Sequence, residues 1–268
     1  MRVLWFTLIL IIAVGITKII TDNAGVRDNH IKIGVNPGEG ADIMKKVREI
    51  AARSDLDIEI IEFSDFMTPN IALDHGDIDA NIFQHQPYLS NQIEAGNYKI
   101  EAVATTIVTP MKVYSNKIKN ITDLPDGALI SMPSDTTNFE RALLLLEKCN
   151  IIQLKKKNAI KSVYDIESNP KNIKFVEVDA AQVPRTLQDV HAAVINTNYA
   201  VLAKISPDIA LCSESAINNR YANLIVVQSK NKDKKWVKTL VESYRNAEVK
   251  QYIQNLFPKD SSFIIPTW

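Results

Sequence analysis

The chain is poor in the residues on which zinc sites and disulfide-rich folds depend. Its 268 residues include two cysteines and four histidines. Cys149 and Cys212 are too few for a disulfide framework and too far apart for a CxxC motif, although one disulfide between them stays open. The histidines form no HxH or HExxH arrangement, so we predict neither a metal site nor a cofactor.

The chain also lacks a net charge and the common sequence motifs of enzymes, which makes two classes of function less favoured. The 31 basic residues are balanced by 31 acidic ones, so no net charge draws the chain toward nucleic acid. GxSxG, P-loop and GxGxxG motifs are missing as well, which weakens the case for an enzyme. What is present is a globular composition, with 46% apolar residues in a chain long enough for one large or two ordinary domains.

The N-terminus carries a long apolar run. After Arg2, the run extends from Val3 to Ile16, which is the length of a signal-peptide core. We therefore predict that residues 1–20 are a signal peptide or an N-terminal anchor, and that residues 21–30 are a linker. The predicted location is the periplasm or cell envelope, with anchoring to the inner membrane through this segment as one alternative.

Strand and helix patterns alternate from Ile31 onward. The strand-like stretches HIKIGV, LDIEII and IDANIF are separated by the helical stretches ADIMKKVREIAAR and TPNIALDHG. This order is typical of βαβ units around a parallel sheet, and it returns after residue 110. The pattern predicts two α/β lobes joined by two crossovers, with a ligand cleft between them. Lobe 1 would contain 31–110 plus 225–268, and lobe 2 would contain 111–224.

One helix start is suited to a carboxylate. In MPSDTTNFERALLLLEK, Thr137 followed by Glu140 predicts a capping box, with Asn138 and Arg141 three residues apart on one face of the first turn. Free backbone N–H groups and the planar guanidinium both match a carboxylate. The alternative is that Arg141 pairs with an acidic residue on the surface.

Rings and amides stand at several strand ends. Along IDANIFQH, strand alternation places Phe83 and His85 on the same side at the carboxyl end. Phe66 closes the preceding strand, and Asn196 and Asn223 lie at strand junctions, where an amide can receive an ammonium or brace a carboxylate. Core packing for the rings and turn positions for the amides are the alternatives.

Several long motifs occur together in order. EFSDFMTPNIALDHGDIDANIFQHQPYL, YSNKIKNITDLPDGALISMPSDTTNFERALLLLEK, AAVINTNYA and YANLIVV resemble the NlpA/MetQ family of substrate-binding lipoproteins, the methionine receptors of ABC importers. The resemblance covers nearly all of residues 31–268. It implies a two-lobed, type II-like periplasmic-binding-protein fold that captures a free amino acid, methionine in its L or D form. It also implies delivery to a membrane permease with its ATPase, without chemistry on the ligand.

The resemblance assigns a role to each candidate. The ring and the imidazole would contact the methionine side chain, the arginine with its neighbouring asparagine would hold the carboxylate, and the two later asparagines would hold the polar end of the amino acid. The ligand-binding residues implied are Phe66, Phe83, His85, Asn138, Arg141, Asn196 and Asn223.

The chain also departs from the family pattern. The family usually has a tyrosine at Phe66, so any hydrogen bond made by that hydroxyl is lost. No cysteine precedes Cys149, so the lipobox cysteine of the family is missing from this sequence. The start GVNPGEGADI differs from the family's common Gly-Pro pattern.

Other functions stay open at this point. The ligand could be another small apolar amino acid or a methionine-containing dipeptide. An enzyme would use His85 as a base on a small acid, with Asp79 as the nearest carboxylate on the predicted strand face. A surface protein for adhesion or sensing would keep the fold with a vestigial pocket.

Overall fold

The computed structural model describes residues 29–157, 159–257 and 263–268. The predicted signal peptide or anchor, residues 1–20, lies outside the described residues, as does the linker up to residue 28. Within the described ranges, no helix is both long enough and apolar enough to cross a membrane.

The first sheet has six strands among the described residues. They are β1 (His30–Val35), β2 (Asp57–Glu62), β3 (Ala80–Ile82), β4 (Ile100–Val108), β12 (Ala222–Gln228) and β13 (Ile265–Pro266). Their order is β13-β4-β12-β3-β1-β2. β1 pairs in parallel with β2 and β3, whereas β12 runs antiparallel to β3 and β4.

The second sheet has the order β11-β5-β10-β6-β9. Its strands are β5 (Lys112–Tyr114), β6 (Leu129–Pro133), β9 (Lys174–Val178), β10 (Ala192–Ile195) and β11 (Ala210–Ser213). β6 pairs in parallel with β9 and β10, and β5 is antiparallel to β10 and β11. A separate two-stranded ribbon contains β7 (Gln153–Leu154) and β8 (Ile166–Ser168).

Helices pack against both sheets. They are α1 (Glu39–Ala52), α2 (Thr68–His75), α3 (Gln86–Gly96), α4 (Thr136–Lys148), α5 (Val183–Thr186), α6 (Thr197–Leu202), α7 (Lys235–Tyr244) and α8 (Ala247–Leu256). In α1 the predicted apolar face is confirmed, because Ile43, Val47 and Ile50 are all buried in the core of the first sheet. α7 and α8 contribute Leu240 and Ile253 to the same core.

The chain passes between the sheets twice, from β4 to β5 and from β11 to β12. The predicted α/β fold with two lobes and two crossovers is therefore confirmed. The proposed lobe boundaries stay a prediction, and the one placed between residues 224 and 225 falls inside β12, which pairs with the first sheet along its whole length.

Two segments differ from their predicted secondary structure. The stretch after β3 was expected to continue as a strand through His85, but β3 ends at Ile82 and α3 begins at Gln86, with Pro87 in its first turn. Proline fits a first helical turn because its missing N–H has no intrahelical acceptor there. The sequence of AAVINTNYA also predicts a strand, but the strand ends at Ile195, after which α6 begins.

The two cysteines form a disulfide. Cys149 follows the C-terminus of α4 and Cys212 lies on β11, with their Cα atoms 6.4 Å apart. The bond connects the helix that bears Arg141 to the strand that leads to Glu214. The sequence left open whether Cys149 and Cys212 form a disulfide, and the structure has this bond.

Candidate functional site

A cleft with an empty volume of about 640 Å³ contains all the predicted site residues. Its walls come from loops after β1, β2 and β3 in the first sheet and from α4 and the β10–α6 junction in the second. The predicted residues that line it are Phe66, Phe83, His85, Asn138, Arg141, Asn196 and Asn223.

His85 enters the cleft as a helix cap and not as a strand residue. Its backbone is extended, and its Nδ1 accepts a hydrogen bond from the Tyr88 N–H at 3.2 Å. With Nδ1 as acceptor, the ring proton lies on Nε2, which donates to Asn138 Oδ1 at 3.3 Å. Burial and, after it, the positive charge of Arg141 lower the His85 pKa to about 3. The imidazole is therefore neutral at physiological pH.

Three buried amides fix the strand end beside His85. Asn70 Nδ2 donates to Gln84 Oε1 at 2.9 Å, and Gln84 Nε2 donates back to Asn70 Oδ1 at 2.6 Å. Asn81 Nδ2 joins them through Asn70 Oδ1 at 2.9 Å. Since every buried amide here has a partner, the network holds α2 against the end of β3. The amides of Asn70, Asn81 and Gln84 therefore have a structural role.

Aromatic rings form one wall of the cleft. Phe66 stacks on Phe83 with ring centroids 5.8 Å apart and lies 4.9 Å from the ring of Tyr199. The Tyr88 ring meets Phe83 edge-on at 6.0 Å, and its hydroxyl donates to the Phe66 carbonyl at 2.8 Å. Phe66 and Phe83 keep part of their surface exposed toward the cleft. This wall offers an apolar, polarisable contact surface.

α4 begins differently from the predicted capping box. Asp135 is the N-cap, and its Oδ1 accepts from the Asn138 N–H at 3.0 Å, so Thr137 lies inside the helix. Glu140 does not reach back to the cap, because its carboxylate accepts from the Lys161 N–H at 3.1 Å and from Arg220 Nη2 at 3.2 Å. The predicted Thr137 cap is wrong. Asn138 still lies in the first turn, but Arg141 lies in the second turn and not in the first as predicted.

Arg141 is a buried member of an ion pair. Its Nε and Nη2 donate to the two oxygens of Glu214 at 2.8 and 2.6 Å, and Nη2 also donates to the Thr109 carbonyl at 3.0 Å. The guanidinium carbon lies 4.3 Å from the centroid of the Tyr221 ring. An acidic partner was the predicted alternative, but this pair is buried, with side-chain exposures of 3% and 10%. The Nη1 atom takes part in none of these bonds.

The asparagines connect the two halves of the cleft. Asn138 Oδ1 accepts from His85 Nε2 of the first half and from Asn196 Nδ2 of the second at 2.9 Å. Asn223 forms an isolated antiparallel bridge with His85. His85, Asn138 and Asn196, which are far apart in the sequence, therefore meet in one hydrogen-bonded group. Their roles toward a ligand stay predictions.

Sequence reasoning missed several lining residues, of which Glu39 and Asn198 are the most polar. Glu39 Oε2, Asn198 Nδ2 and Asn196 Oδ1 are buried atoms that have no hydrogen-bond partner among the described residues. Burial raises the pKa of Glu39 to about 7. The position of Glu39, directly after a Pro-Gly turn at the carboxyl end of β1, is the signal that could have identified it.

The chain is similar in sequence and structure to proteins of a known family. A model of the NlpA lipoprotein family matches residues 31–268. The D-methionine-binding lipoprotein MetQ of Escherichia coli (strain K12) is 41% identical over 233 residues, which covers 85% of this chain and 86% of that protein. A structure of a nutrient binding protein from Burkholderia cenocepacia bound to methionine has a TM-score of 0.85 and 44% identity, and the match covers 89% of this chain and 100% of that one.

The comparisons overturn the predicted mode of membrane attachment. Outer membrane lipoprotein 3 of Mannheimia haemolytica is 39% identical over 239 residues, covering 88% of this chain and 91% of that protein. Like the MetQ relative, it is named a lipoprotein, and a lipoprotein is held by lipid. The prediction of an N-terminal anchor in the inner membrane is therefore corrected, whereas an extracytoplasmic location agrees with these relatives.

Proposed function

Because the chain belongs to the NlpA lipoprotein family, we propose that it is an extracytoplasmic substrate-binding protein that captures free methionine, in its L or D form. It delivers this ligand to the permease of an ABC importer with its ATPase. The observation that carries the proposal is the meeting of all seven predicted residues in one cleft. The names of the E. coli relative and of the methionine-bound B. cenocepacia structure support methionine as the ligand.

The cleft offers a separate place for each end of methionine. Arg141 Nη1 receives the carboxylate, because charge-assisted hydrogen bonds to guanidinium are strong when water is excluded. Asn138 assists with the second N–H of its amide, since its Nδ2 already donates to the two oxygens of Asp135 at 3.1 and 3.0 Å. Phe66 and Phe83 contact the thioether, which packs favourably against aromatic rings. His85 contributes to the shape of the pocket wall without adding a charge, since its pKa of about 3 keeps the imidazole neutral. Asn196 and Asn223 hold the polar end of the amino acid.

We also infer that the ligand leaves chemically unchanged. The carboxylate predicted to assist His85 is engaged elsewhere, because Asp79 Oδ2 accepts the Lys32 N–H at 2.8 Å and Asp79 does not line the cleft. An imidazole with a pKa of about 3 is also a poor base at neutral pH. These facts support capture and release over turnover.

Isothermal titration calorimetry with methionine tests the proposal. We expect saturable one-to-one binding to the purified chain and a loss of about ten- to a hundredfold in Arg141→Ala, because a hydrogen bond to a charged group contributes about 1.5–3 kcal/mol. Arg48→Ala is the matched control, since Arg48 is exposed on α1 and does not line the cleft. Equal affinities of the two variants would refute the assignment.

Delivery needs its own assay. The purified chain is added to its permease and ATPase in proteoliposomes, and ATP hydrolysis is measured with and without methionine. We expect stimulation that depends on both the chain and methionine. An ATPase rate that the chain leaves unchanged would refute delivery while leaving capture untouched.

A further inference from the structure

Glu39 is a buried carboxyl group in the cleft that the family resemblance does not explain. It is 4% exposed, it lies in the first turn of α1, and it lines the cleft beside Asn198 and Tyr244. Its Oε2 has no hydrogen-bond partner within the part of the chain that the structure describes. Buried polar atoms without partners are rare and costly, so such an atom in a ligand cleft indicates a contact with the ligand.

Among the described residues, no positive charge acts appreciably on the Glu39 carboxyl group. The charged group that acts on it most is Asp42, one turn along the same helix, and it raises the Glu39 pKa further. On α7, the facing titratable group is the buried hydroxyl of Tyr244. The guanidinium of Arg141, which lines the same cleft, already has Glu214 as its partner. A ligand that brings a cation to Glu39 would therefore complete the charge balance of the cleft.

A second unpartnered acceptor lies on the same cleft. Asn196 Oδ1 is buried without a partner, while its Nδ2 is engaged by Asn138. Two acceptor oxygens, one ionisable, match a group with several N–H donors and a positive charge. A free amino acid carries such a group in its α-ammonium.

We propose that Glu39 is a specificity-determining residue that accepts a hydrogen bond from the ammonium group of the bound amino acid. The inference rests on the proposed capture of methionine and adds a selection for the free amine. It follows that analogues without the amine lose this contact, and that N-acylated methionine is rejected.

The pH dependence of binding follows with a definite sign. Burial holds the Glu39 pKa near 7 in the free protein, so below that pH the carboxyl is neutral and must lose its proton to pair with ammonium. Methionine binding then releases a proton, and Kd tightens by up to about tenfold per pH unit as pH rises toward 7 and levels off above it. His85, with a pKa of about 3, does not titrate in this window.

Calorimetry on Glu39→Gln provides the test, with Glu49→Gln as the matched control because Glu49 is exposed on the same helix. The ligands are methionine and 4-methylsulfanylbutanoate, which lacks only the amine. We expect Glu39→Gln to weaken methionine by about tenfold or more, to leave the des-amino acid unchanged and to abolish the pH dependence. Unchanged methionine affinity, or an equal loss for both ligands, overturns the inference.

Carboxyl ¹³C NMR of glutamate-labelled protein gives an independent measurement. The signal that disappears in Glu39→Gln should titrate near 7 in the free protein and at lower pH with methionine bound. A signal that titrates at the ordinary pKa of glutamate, or that methionine leaves unmoved, overturns the role of Glu39. Wild-type protein that binds no methionine refutes the proposed function instead, so the two failures are distinguishable.

Discussion

Removal of Glu214 should destabilise the protein strongly. Glu214→Ala leaves the Arg141 guanidinium, 3% exposed, with the Thr109 carbonyl and the Tyr221 ring as its remaining contacts. It also strands the Met111 N–H, which donates to Glu214 Oε2 at 2.9 Å. Breaking one side of a buried ion pair costs about 3–5 kcal/mol, because the other charge stays buried without a partner. For a chain of this size we expect a fall in Tm of roughly 6–20 °C.

Thermal and urea unfolding of three variants distinguish the cost of leaving the Arg141 charge unpaired from the cost of shortening a side chain. Arg141→Ala/Glu214→Ala should recover part of the loss, since no unpaired charge remains. Glu242→Ala is the surface control, because its pair with Lys238 spans 3.8 Å between side chains 79% and 66% exposed, and we expect a change below about 1 kcal/mol. A Glu214→Ala variant as stable as Glu242→Ala would refute the claim that this buried pair holds Arg141.

Four further predictions concern stability and the aromatic wall. Cys149→Ala/Cys212→Ala should lower the unfolding free energy by about 2–4 kcal/mol in urea, because the disulfide closes a loop with a sequence separation of 63, and reductant should change the wild type but not the variant. Because the His85 pKa is lowered, between about pH 6.5 and pH 3 the imidazole is protonated in the unfolded chain and neutral in the folded protein. The free energy of unfolding should therefore fall by about 1.4 kcal/mol per pH unit as pH drops through this range. A His85→Gln variant whose unfolding free energy has the same pH slope would contradict this. Glu39 acts in the opposite sense between about pH 4.5 and pH 7, because its raised pKa stabilises the folded state as pH falls. Glu39→Gln should therefore make the loss of unfolding free energy below pH 6.5 steeper. Phe83→Ala should weaken methionine binding by about tenfold through lost thioether and apolar contact, and calorimetric affinities equal to the wild type would remove Phe83 from the pocket.

Local patterns predicted the framework of the fold well. The apolar face of α1 is visible in the sequence because Ile43, Val47 and Ile50 recur at helical spacing, and β1 and β2 alternate as strands do. The start of α3 was not predictable in the same way. His85 caps it through an imidazole nitrogen, whereas the usual caps are Ser, Thr, Asp and Asn, so no familiar signal marks that position.

Site residues were predictable where they follow a strand, as Phe83 does, or lie in the first turn of a helix, as Asn138 does. Their partners were not, because tertiary packing brings them from far along the chain. Glu214 lies 73 residues from Arg141 in sequence. Glu39 becomes a buried carboxyl through packing near Tyr244 of α7, about two hundred residues away. Sequence patterns report local geometry, and they do not show which distant side chains share a cleft.

The most direct test of the account is calorimetric titration of the unliganded chain with L-methionine and with D-methionine. We predict saturable one-to-one binding of at least one enantiomer, with affinity lost in Arg141→Ala and retained in Arg48→Ala. No heat of binding from either enantiomer at millimolar concentration, with the protein folded and free of bound ligand, would contradict the assignment of this cleft to methionine.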